Sequence, residues 1–149
     1  MSEQLTLENV LKRDGVLVYK TRGASMRPML KQNRDLVTVR PAEGRLKKYD
    51  IPLYRRRGGG YILHRIIKVT ENGYIIRGDN TFVKERNVTD NDIIGVLTQF
   101  RRKGKDHSVQ SAGFKLYSRV WNFIYPLRWA AYKARRLAGK IKRKVKGGA

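Results

Sequence analysis

The sequence predicts a mainly β domain with a short helix ahead of it and a basic amphipathic helical segment behind it. Three observations carry this expectation. About six short runs rich in β-branched residues fall within the first hundred positions, and only one early segment there has helical spacing. After Gly113 the pattern switches to apolar residues every three or four positions, set among lysines and arginines.

Leu5, Leu7, Val10 and Leu11 have loose helical spacing, and Asp14-Gly15 ends it. Strands are expected at Val16–Tyr19, at the alternating Asp35–Arg40, at Asp50–Tyr54 despite Pro52, and over Tyr61–Val69. Glu71-Asn72-Gly73 joins that last run to Tyr74–Arg77 as a hairpin, because Asn-Gly reaches positive φ cheaply. Ile93–Phe100 closes the sheet, which suits a sandwich or barrel. The domain is therefore read as 1–100, followed by a basic linker over 101–112 and a helical tail over 113–149, where Pro126 breaks or kinks the helix.

Leu, Ile, Val and Phe make up about a quarter of the 149 residues, enough for a folded core. With no cysteine, disulfides, thiolate zinc sites and a cysteine nucleophile are excluded, and two histidines 43 positions apart do not furnish a tetrahedral metal site. No metal or other cofactor is expected. The net charge is +22, and from residue 101 onward 15 basic residues stand against Asp106 alone. No apolar run is long enough to span a bilayer, and the N-terminus lacks the order of a secretory leader.

Chemistry is suggested at three places. Gly23-Ala24-Ser25-Met26-Arg27-Pro28 follows a strand, a setting that exposes a serine hydroxyl beside its own backbone N–H. A serine hydroxyl needs a base, and His64, inside an otherwise apolar strand, has the right pKa range; strand alternation puts it on the face of Ile62 and Ile66. Gly78-Asp79-Asn80 then folds a carboxylate and an amide back toward the His64 strand. Taken singly, these have ordinary readings: a turn, a core histidine and an Asx turn.

In combination, Gly-x-Ser-Met-x-Pro, Asp-Leu-Val-x-Val, His-Arg-Ile-Ile, Gly-Asp-Asn and Ile-Ile-Gly-Val-Leu, in this order over residues 15–98, resemble the signal peptidase and LexA-like serine peptidase superfamily. With His64-Arg65 where other members have lysine before arginine, the chain resembles the histidine branch found in archaea and the endoplasmic reticulum. The resemblance implies a serine endopeptidase of the signal peptidase-like catalytic β fold. Ser25 would be the nucleophile and His64 the base, with a peptide or protein precursor cleaved through an acyl-enzyme. Asp79 would orient the imidazole or hold the loop through Arg65 or Arg77, and Glu85 is its rival for the orienting part. The Ser25 N–H is the natural oxyanion donor. A hydroxyl that some relatives carry two places before the nucleophile is here Gly23, which leaves a second donor unassigned. Met26 and Pro28 would help position a substrate that binds by strand addition. A self-cleaving version is disfavoured, since no helix-turn-helix and no Ala-Gly or Cys-Gly pair precedes Ser25.

The tail, with Tyr117, Trp121, Phe123, Tyr125 and Trp129 among basic residues, reads as a helix lying on an anionic membrane surface through 113–149. Nucleic acid is the second partner that the charge allows, and a docked helix the third. The resulting expectation is a processing peptidase at the cytoplasmic membrane surface. The alternative is a non-catalytic basic module that binds nucleic acid or membrane on the same fold.

Overall fold

A computed structural model describes residues 6–147. It is mainly β, with two antiparallel sheets that form a curled half-barrel, an N-terminal helix and C-terminal helices. Helix α1 (Leu7–Asp14) opens on Thr6, whose side chain accepts from the Asn9 N–H at 3.2 Å, and stops at Gly15 in the left-handed conformation (φ 67°). Leu11 on its inner face is buried with Leu17, Val39 and Leu53. Leu5, expected on the same helix, lies outside the described residues.

The larger sheet contains β1 (Leu17–Lys20), β2 (Leu36–Arg40), β3 (Pro52–Arg55), β4 (Tyr61–Leu63), β8 (Ile93–Arg102) and β9 (Lys105–Ser108). Its order is β1-β2-β8-β3-β4, so β1 and β4 end this path, and β9 pairs with β8 off it. Pro52 stands first in β3, where a missing N–H costs least. The smaller sheet is β5 (Arg65–Thr70), β6 (Gly73–Arg77) and β7 (Glu85–Val88).

The run Tyr61–Val69, expected as one strand, is two. Its first part pairs with β3 and its second with β6, so the chain passes between sheets at His64. His64 therefore belongs to neither ladder, and like Ile62 and Ile66 it packs beside Tyr54. In the hairpin the turn residues are Glu71 and Asn72, and Gly73 is already paired with Thr70. Glycine is needed at 73 because the Val88 carbonyl would overlap any Cβ.

The stretch read as a linker, 101–112, holds the end of β8 and all of β9. β8 runs on through Arg102, and β9 returns against it over a turn at Lys103-Gly104, both with positive φ. Its charges concealed this: Arg101 faces Asp106 with two hydrogen bonds of 2.8 and 2.9 Å across the pair.

Helix α2 (Ala112–Phe123) is capped by Ser111, and α3 (Tyr125–Gly147) follows after one residue; the break expected near Pro126 falls at Ile124, and Pro126 stands in the first turn of α3. The start of the tail is part of the domain. Phe114 and Tyr117 pack on the core formed by Met26, Met29, Leu30, Val37, Ile51, Leu97 and Phe100. A second core of Tyr54, Ile66, Tyr74 and Ile76 joins the two sheets.

Candidate active site

Ser25 sits in the long loop between β1 and β2, which is braced from below by a buried carboxylate. Asp35 accepts from the Lys31 N–H at 2.8 Å and pairs with Arg34, and the Thr21 hydroxyl donates to the Lys31 carbonyl. Asp35 was expected to begin a strand; it closes this loop instead. Met29 and Leu30 anchor the loop in the core, and Met26 is buried beside the serine. Ser25 is half-buried and Pro28 exposed.

His64 arrives from the opposite edge, at the break between β4 and β5. Ser25, Met26 and His64 line one cleft of about 970 Å³, whose walls come from both edge strands: Tyr19 and Lys20 of β1, Tyr61 to Leu63 of β4. Gly78 lies between serine and histidine. A Cβ there would stand 2.7 Å from the Ser25 carbonyl oxygen and 3.0 Å from His64 Nε2, so glycine lets the Ser25 main chain and the imidazole edge both pack against this position.

The other face of the imidazole is set by three residues. Glu85 Oε1 lies 3.4 Å from His64 Nδ1, ion-pair range but long for a hydrogen bond, and the Tyr54 hydroxyl lies at the same distance. Arg56 holds Glu85 with two bonds, at 2.6 and 3.1 Å. Burial pushes the His64 pKa below its usual value and outweighs the opposing pull of Glu85, so the ring is neutral at pH 7. Burial works against ionising Glu85, yet its hydrogen bonds to Arg56 and Tyr54 and the positive charge of Arg56 leave its pKa below normal. Burial and Glu85 raise the Tyr54 pKa, which keeps the phenol protonated.

Asp79 does not face the imidazole in this arrangement. Its carboxylate takes two 2.8 Å hydrogen bonds from Arg65, both side chains being fully buried, and one of 3.0 Å from the Tyr117 hydroxyl. Of the roles open to it from sequence, its contacts are those of a loop anchor through Arg65. Arg65 in turn donates to Ser118 Oγ at 2.5 Å. The next residue, Asn80, clasps the serine loop: its N–H donates to the Ser25 carbonyl at 2.7 Å and its side chain to the Ala24 carbonyl at 3.2 Å.

The tail completes this anchor. Trp121 Nε1 and Arg128 both donate to the Asp79 carbonyl, at 2.9 and 2.7 Å, and the Arg128 guanidinium stacks 3.7 Å over Trp121. Arg77 lies 3.5 Å over Tyr125 and donates to Asn122. Tyr117, Trp121 and Tyr125, expected at a lipid interface, therefore face the protein, whereas Phe123 and Trp129 remain exposed. Sequence reasoning did not single out Tyr54, Arg56, Ser118, Asn122 or Arg128. Arg56 hides in the run Arg55-Arg56-Arg57, which reads as a solvated cationic turn. The spacing of Trp121 and Arg128, seven positions apart and thus on one helix face, is the signal available for the second pair.

Among the described residues no group of three or more His, Asp or Glu side chains is arranged to hold a metal ion. No protein-family model matches the chain, and no curated protein matches it.

Proposed function

We propose that the protein is a serine endopeptidase with a Ser25–His64 dyad, on a signal peptidase-like fold, that processes a peptide or protein precursor. The observation that carries this reading is the convergence of Ser25 and His64 from opposite sheet edges onto Gly78 in one open cleft, with a carboxylate behind the ring.

In this reading the His64 ring carries its proton on Nδ1, toward Glu85, and Nε2 accepts the Ser25 proton as Oγ bonds to the peptide carbonyl carbon. The carbonyl oxygen takes the negative charge and accepts from the Ser25 backbone N–H. The C–N bond then breaks and His64 returns its proton to the departing amine, leaving an ester on Ser25. Water adds to that ester, giving its proton to His64, and the carboxylic acid leaves as Oγ regains a proton. Glu85, not Asp79, has the position to stabilise the imidazolium, while Asp79 and Asn80 hold the serine loop. An extended substrate would lie between β1 and β4 as an added strand, with apolar side chains against Met26, Leu30 and Leu63. Lys20 and Arg22 on the rim favour acidic residues next to them.

The test is labelling of the intact protein with a fluorophosphonate, followed by peptide mapping. Modification at Ser25, abolished in Ser25→Ala and in His64→Ala with thermal melting little changed, is the expected result. Labelling that persists in Ser25→Ala, or reacts equally fast in His64→Ala, overturns the dyad.

A further inference from the structure

Apart from the cleft, the outward face of α2 and α3 is unassigned. At about 100° per residue, Leu116, Phe123, Leu127, Leu137, Ile141 and Val145 fall within roughly 60° of one line along both helices, with alanines 130, 134 and 138 filling the gaps. The break at Ile124 preserves the phase, since its N–H still donates to Val120 and its carbonyl accepts from Arg128. All six large side chains are exposed, Phe123 by 85%. Aliphatic surface of this extent is uncommon on a free protein face.

The stripe is bordered by cations on both sides. Lys115, Arg119, Lys133 and Lys144 run along one edge, Arg135 and Lys142 along the other, and residues 112–147 contain no acidic residue. Tyr117, Trp121 and Arg128, which hold Asp79, lie on the opposite helix face, so the stripe is free to be covered without disturbing the domain.

We propose that this face docks on an anionic lipid surface, the apolar stripe in the acyl boundary and the flanking lysines and arginines at the headgroups. Charge complementarity selects this occupant. A second copy would bring like charges together, and a nucleic acid offers phosphates for the flanks but nothing aliphatic for a stripe about thirty residues long. No described helix is long and apolar enough to cross a membrane, and cations on both borders suit a helix lying flat. The proposal stands on the helix surface and is independent of the peptidase reading.

The experiment is co-sedimentation of the full-length protein with vesicles of phosphatidylcholine, alone or mixed with phosphatidylglycerol. Binding should require the anionic lipid. Leu137→Glu combined with Ile141→Glu should weaken it more than about tenfold, as expected when buried aliphatic groups are replaced by charges facing anionic headgroups. Lys142→Gln with Lys144→Gln should weaken it by more than Lys12→Gln with Lys31→Gln, which removes the same charge from elsewhere. Near-UV circular dichroism confirms that the domain is intact in each variant. Equal binding to neutral vesicles, or no loss in the Leu137/Ile141 variant, overturns the proposal. So does failure to bind anionic vesicles together with tight binding of a DNA duplex.

Discussion

Replacing Glu85 with glutamine removes one charge and little volume, and it separates the two acids that sequence left in competition. The distance from Glu85 Oε1 to His64 Nδ1 is 3.4 Å. Coulomb's law at that separation gives about 1 kcal/mol in water and about 5 kcal/mol at an effective dielectric of 20. Arg56, 2.6 Å from the same oxygen, offsets part of it, so about 1–3 kcal/mol is the working range for what the carboxylate gives an imidazolium. At about 1.4 kcal/mol per tenfold, that corresponds to a roughly ten- to hundredfold slower reaction, with the imidazole pKa pushed further down. The direction follows from the charges: Glu85 raises the His64 pKa and Arg56 lowers it, so Glu85→Gln shifts it further down. The assay is the second-order rate of fluorophosphonate inactivation against pH. In the unaltered protein the rate should rise through a midpoint below 6.5, since only the neutral ring is a base and burial has already depressed its pKa. The variant should be slower on the plateau, with its midpoint displaced to lower pH. A plateau within twofold of the original, or a midpoint that moves upward, would refute the assignment of Glu85 to the imidazole.

Asp79→Asn should act through stability: it strands the Arg65 guanidinium in a fully buried site, at a cost of about 3–5 kcal/mol, and should lower the melting temperature by roughly 6–20 °C in calorimetry. Gly78→Ala should nearly abolish labelling at Ser25 and lower stability by about 1–3 kcal/mol in urea titration, because its methyl meets the Ser25 carbonyl and His64 Nε2 together. Unimpaired labelling in a folded Gly78→Ala protein would mean that the cleft tolerates a methyl group between the Ser25 main chain and the imidazole.

Local chemistry was legible in the sequence wherever one residue type answers one geometric demand. Gly15 ends the first helix, Pro126 starts the last one, and the alternation of Leu36–Arg40 marks a strand with a buried face. The candidate serine, histidine and carboxylates were named, and the structure brings Ser25, His64 and Glu85 together while turning Asp79 toward Arg65. That choice could not be made from spacing, because it depends on which side of a strand break each acid emerges. β9 was missed because Lys105–Ser108 is polar throughout and held by ladder pairing, not by burial. The tail misled for a related reason: aromatic residues among arginines suit a lipid interface and a stack of buried guanidiniums equally well. Only the partners Arg65, Arg77 and Arg128 decide which aromatic does which.

The grip of Trp121 and Arg128 on the Asp79 carbonyl also sets an order of events as the chain is made. A nascent polypeptide that has finished every strand still lacks the groups that steady the turn behind the serine, and those groups lie 42 and 49 positions downstream of the turn. Until they emerge from the ribosome, the Asp79 carbonyl beside the Ser25 loop lacks these two donors. Maturation of the cleft thus waits on residues that contribute nothing to its lining.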